Sequence, residues 1–178
     1  MTPKKVLITL TLLVCFFLFA VLVVQPLMSG IMLRSKILRA ISSAKTVRVV
    51  EHSSSWDNPE IRRDEYKEVI FQERILETKE IEALRRAFPI SFDYNKTMKE
   101  GCIFADHHRI ELQQKEGAPF VIDICFPCGQ LRLNQGETQL MPMRWKNSLR
   151  HFFSDLGMKP DGSWSAKMRS TPLPPPGN

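Results

Sequence analysis

Residues 6–24 form a run of 19 side chains without a charge, and that run limits what the chain can become more than any other feature. Only Thr9 and Thr11 are polar within it. At about 1.5 Å rise per residue, a helix of this length spans roughly 30 Å, the hydrocarbon thickness of a bilayer. Lys4 and Lys5 stand directly before it. Secretory signals carry a shorter apolar stretch, about 7–15 residues, closed by a small-x-small cleavage site. The one tempting cleavage point here follows Gly30 and has the bulky Met28 at the −3 position. The segment therefore reads as an uncleaved signal-anchor helix, with residues 1–30 as the anchor unit. A short basic head before a long apolar run places the domain outside the cytoplasm, as a single-pass membrane protein. Arg34, Lys36, Arg39 and Lys45 follow on the far side and narrow that charge bias.

The remainder, about 150 residues, is enough for one domain with a real core. The net charge of the 178-residue chain is +6, but the excess is dispersed rather than gathered into a basic stripe. Acids and bases alternate, as in Glu80, Glu82, Arg85 and Arg86. A nucleic-acid partner needs a dense basic footprint interleaved with aromatics, so none is expected. Near the anchor, positive charge favours anionic lipid headgroups.

Beyond the anchor the periodicities change. Leu33, Ile37, Leu38 and Ile41 recur at helical spacing over residues 31–44. Residues 46–52 alternate and are β-branched, with Val47, Val49 and Val50, and read as a strand; residues 66–76 read as a second, antiparallel one. Thr78 is the predicted N-cap of a helix carrying Ile81, Leu84 and Phe88, stopped by Pro89. Residues 102–112 and 120–133 make the clearest hairpin, around Gly117. Residues 137–141 add a short strand. Pro142 opens a last helix with Trp145, Leu149, Phe152, Phe153 and Leu156 on one face, closed by Gly157. The order gives an α+β fold, an antiparallel sheet with helices packed on one face, over residues 31–158. Residues 159–178 read as a disordered, Pro-rich tail, a stretch that an SH3-like protein partner can hold.

Cys102, His107, His108, Cys125 and Cys128 all fall in or beside the central hairpin. If the turn centres on Glu116, residues whose numbers sum to about 232 face each other, and the two-residue period assigns faces. Phe104, His108, Ile110, Leu112, Phe120, Ile122, Ile124 and Phe126 then share the core face, joined by Cys102 and Cys128. His107, Arg109, Glu111, Asp123 and Cys125 take the other. Arg109 and Asp123 become cross-strand partners, which supports the register. Three readings of the cluster stand side by side. A Cys102–Cys128 disulfide suits an exported domain. A Cys₃His zinc site, with Cys125-Phe-Pro-Cys128-Gly129 as its knuckle, needs the strand to break at Pro127. Plain structural thiols beside a core histidine are the third. A redox Cys-x-x-Cys wants its first cysteine at a helix N-terminus, and Cys125 is predicted in a strand. His107 and Asp106 are strand neighbours pointing to opposite faces, so no nucleophile–base–acid set forms with Cys125 or Asp123. No phosphate loop or nucleophile elbow is present.

Taken together, Cys102, the run from His107 to Glu111, Ile124-Cys125-Phe126-x-Cys128, Met141-Pro142, Trp145, Leu149-Arg150, Phe152 and Phe153 resemble a family of uncharacterised bacterial proteins. The resemblance covers about residues 100–158 and implies no activity. The expectation is a membrane-tethered, non-enzymatic interaction or accessory domain with no cofactor. The competing class is a zinc-binding or thiol-redox protein built on the Cys/His cluster.

Overall fold

The computed structural model describes residues 11–17, 25–57, 65–91, 102–164 and 166–167. Residues 11–17 are helical (α1) and exposed. The rest of the expected anchor, residues 6–10 and 18–24, lies outside the described residues, as does the Pro-rich stretch 171–176. Among the described residues no helix is long and apolar enough to cross a membrane.

The chain divides into two units, Met1–Ile37 and Leu38–Asn178. α2, Gln25–Ser43, crosses that division, so the expected boundary between residues 30 and 31 falls inside a helix.

The second unit is α+β, built on a six-stranded antiparallel sheet. Its strands are β1 Ala44–His52, β2 Ile70–Ile75, β3 His108–Gln114, β4 Phe120–Cys125, β5 Gln130–Leu133 and β6 Thr138–Leu140, in the order β2-β1-β3-β4-β5-β6. α3, Thr78–Arg86, carries the chain from β2 to β3, and α4, Met143–Asp155, follows β6. The cap of α3 lies one residue earlier than predicted. Glu77 is the N-cap, and its N–H donates to Glu80 Oε2 at 2.9 Å, in the manner of a capping box.

Alternation decides the core. Val47, Val49, Ile110, Leu112, Ile122, Ile124 and Leu131 are at most 1% exposed and occupy one sheet face. Phe153 of α4 meets that face through His108 and Phe126, while Trp145 packs edge-on against Phe88 and donates its indole N–H to the Pro89 carbonyl at 2.6 Å.

Two expectations are corrected here. Residues 120–133 form two strands, because Phe126-Pro127-Cys128-Gly129 makes a tight turn closed by Gly129 N–H to the Phe126 carbonyl at 3.2 Å. Proline cannot continue the ladder, and Gly129 supplies the positive φ of 64° that the turn demands. The domain also runs past residue 158. Trp164, expected in the tail, is buried and stacks on Phe71 and His107, and Lys167 ion-pairs with buried Glu51.

Candidate functional site

The register is the predicted one: His108 faces Ile124, Arg109 faces Asp123 and Ile110 faces Ile122. The Cys/His residues nevertheless go to separate places. Cys102 and Cys128 are joined by a disulfide with Cα atoms 5.9 Å apart. Cys128 reaches its partner from the tight turn, and residues 102–107 precede β3 without being part of it, so strand parity does not govern them. Phe104, assigned to the core face, instead lies under the guanidinium of Arg132 on the opposite face, 4.8 Å from its ring centre. Oxidised to one another, Cys102 and Cys128 are not thiolate ligands, and the Cys₃His set is not assembled.

Cys125 is a free, buried thiol. Burial pushes its pKa up, against the backbone hydrogen bonds at Cys128 and Ala105. That is the opposite of what a nucleophilic or metal-binding sulfur needs. His107, assigned with Cys125 to the face away from the core, is also buried. Its Nε2 lies 2.8 Å from Asp57 Oδ1, and its ring stacks on Trp164 with centres 4.4 Å apart. His108 sits in the core, edge-on to Phe126 and Phe153 at 5.1 and 4.8 Å. Burial holds its pKa well below the ordinary 6.5, with neighbouring His107 and His52 adding to the effect. It is a neutral core histidine.

The face opposite the apolar one carries the chemistry the cluster lacks. A chain of ion pairs crosses five strands. Arg48 of β1 reaches Glu73 of β2 at 3.2 Å and Glu111 of β3 at 3.1 Å. Arg109 of β3 donates through Nε to Asp123 of β4 at 2.8 Å, and through both terminal nitrogens to Glu68 at 2.9 and 3.0 Å. Arg132 of β5 closes on Asp123 from the other side at 3.1 Å and also reaches Asp106 at 3.2 Å. Register places three of these pairs face to face, since Arg48 faces Glu111, Arg109 faces Asp123 and Asp123 faces Arg132. Burial opposes the charge of Arg109, but Glu68 and Asp123 outweigh it and hold the guanidinium charged beyond its ordinary range.

His52, at the end of β1, completes this face. It is 1% exposed. Its Nδ1 is 2.9 Å from the Ser53 carbonyl and 3.1 Å from Glu68 Oε1. Both are acceptors, so Nδ1 carries the proton. That bond, assisted by Arg109 and opposed by burial, brings Glu68 down to about 2. His52 Nε2 is buried and has no hydrogen-bond partner among the described residues. One ligand atom from each of His52, Asp106 and Asp123 lies within 4.8 Å of the others, and these three form a group able to hold a metal ion.

Sequence reasoning missed this group. Asp123 was read as the partner of Arg109, and Asp106 as a poor catalytic acid. The one available signal was parity, which puts His52 on the same side of β1 as Arg48. No family model, curated protein sequence or solved structure matches the chain.

Proposed function

We propose that this chain is a membrane-tethered accessory or interaction domain that works outside the cytoplasm and carries out no chemistry of its own. The disulfide between Cys102 and Cys128 carries the reading, because such bridges persist in oxidising compartments and are rare in the cytosol. The uncharged run 6–24 supplies the tether and stands before the domain in the orientation a basic head favours. Edge strand β2 supports the interaction part: Ile70 and Ile75 are 46% and 66% exposed on a strand with no partner on its outer side among the described residues. The mixed charges of the outer face offer no basic track for nucleic acid. The thiol-redox alternative has the buried, high-pKa Cys125 against it.

The test uses the full chain in cells that export proteins. Membranes are washed at high pH, and a bulky thiol reagent is applied to unfolded protein before and after reduction. Retention in the washed membrane, with Cys102 and Cys128 labelled only after reduction, is the expected result. A washed-off chain that begins near residue 31 would replace the tether with a cleaved signal. Labelling of Cys102 and Cys128 without reduction would end the extracytoplasmic reading.

A further inference from the structure

The ion-paired face is incomplete by hydrogen bonding. Among the described residues, five carboxylates, Glu68, Glu73, Asp106, Glu111 and Asp123, meet three guanidiniums, Arg48, Arg109 and Arg132. At its most buried point one ring nitrogen of His52 lies within 4.8 Å of carboxylate oxygens of Asp106 and Asp123, and Nε2 is the ring nitrogen left without a hydrogen bond among the described residues. The side chains of Asp123 and Asp106 are only 3% and 15% exposed. Asp106 and Asp123 accept from Arg109 and Arg132, whereas His52 Nε2 is a buried acceptor that has lost its hydration and gained no donor among the described residues. A cation shared with the two carboxylates would satisfy it.

We propose that His52, Asp106 and Asp123 bind a divalent transition-metal ion, with zinc the best-fitting occupant. One imidazole and two carboxylates are a borderline-hard donor set that suits zinc, and lack the soft sulfur that favours copper(I) or the all-oxygen cage that favours calcium. The tautomer is already set. Glu68 takes the Nδ1 proton of His52, the carboxylate–histidine arrangement that orients metal-binding imidazoles. Arg109 and Arg132 hold the Asp123 carboxylate from two sides, and Arg132 also holds Asp106. Donors on a tetrahedral ion lie ~3.3 Å apart at metal bonds of ~2.0 Å, so side chains now within 4.8 Å close in by at most ~1.5 Å. A dication adds positive charge to a network in which carboxylates outnumber guanidiniums among the described residues. It also ties the end of β1 to β4 and to the segment that carries Cys102. Three protein ligands leave a fourth position for water. The inference goes beyond the tether reading and does not depend on it.

The full chain, purified in detergent without a histidine tag and stripped with chelator, is titrated with zinc chloride at pH 7.5 by calorimetry. One equivalent is expected to bind and to raise the thermal midpoint. Asp106→Asn is expected to weaken binding ~10–100-fold, the usual range for damage at or around a metal ligand. Asp106 is the most exposed of the three, so this variant keeps the fold, and an intact disulfide with unchanged far-ultraviolet circular dichroism checks that it has. His52→Gln is the second variant. Absence of one-equivalent binding, or unchanged affinity in both folded variants, overturns the site. So does zinc lost on alkylation of Cys125, which would move the metal to the cysteine. An imidazolium at His52, protonated on both nitrogens at pH 7.5 in nitrogen-15 spectra and undisturbed by zinc, would show that a proton fills the position.

Discussion

The two faces of the same sheet are held by opposite physics. On one face Val49, Ile110, Ile122 and Leu131 lie in neighbouring strands and exclude water under α4. On the other, Arg48, Arg109, Asp123 and Arg132 occupy adjoining strand positions and hold one another by charge. The apolar face tolerates any residue of the right size and shape, because dispersion and the hydrophobic effect are non-directional. The charged face does not, because each buried carboxylate needs its own donors. A single β-sheet therefore has one forgiving side and one exacting side.

The largest test of the comparison is on the forgiving side. Phe153→Ala removes the ring that meets His108, Phe126 and Phe152 and is expected to cost about 4 kcal/mol in urea unfolding. Next is Arg109→Met, which leaves Glu68 unpaired by guanidinium and Asp123 with Arg132 alone. It is expected to cost about 3 kcal/mol. Arg109→Met with Asp123→Leu is expected to cost less than the two single changes added together. Strict additivity in that double-mutant cycle would break the claim that the pair acts as a unit.

Acid separates the faces further. His108 has its pKa lowered by burial, so the unfolded chain binds its proton more readily. Its contribution is complete above the ordinary value near 6.5 and is lost progressively as pH falls below it. Glu68 is also depressed, to about 2, so its contribution is complete above its ordinary 4.5 and is lost between there and about 2. His108→Leu is expected to flatten stability between pH 6.5 and 5, and Glu68→Gln only below 4.5, as read from unfolding midpoints across pH. Exchanged windows would mean that the groups are misassigned. The smallest effect belongs to Arg48→Gln. Its side chain is 37% exposed and pairs with a half-exposed Glu73, so the expected loss is under about 1 kcal/mol and shrinks in high salt.

Much of the fold was legible without coordinates. Alternation named β1, β3 and β4, and the turn at Gly117 put Arg109 opposite Asp123. Helical spacing named Trp145, Leu149, Phe152 and Phe153 as the buried stripe of α4, and all four are buried. The bridge from Cys102 to Cys128 was one of three open readings, and the structure selects it. The split of residues 120–133 was signalled by Pro127, yet the parity argument carried one strand through it. The tail was misjudged at Trp164, because a single aromatic in a polar stretch has no periodicity to reveal it. The His52 group was invisible for a related reason. Its members come from β1, from the segment before β3 and from β4, and no local pattern links them.

The residue order by itself settled which side chains point the same way, because a strand's two-residue period and a helix's 3.6-residue period are properties of neighbouring backbone. It also settled the pairing across one short turn, where chain connectivity leaves a single register. Only the tertiary structure decided that β3 lies beside β1 rather than β2, that Trp164 returns to cover His107, and that His52 stands between Glu68 and the carboxylates of Asp106 and Asp123. Those meetings join segments far apart along the chain, and they follow from the order in which strands assemble, which no nearest-neighbour rule contains.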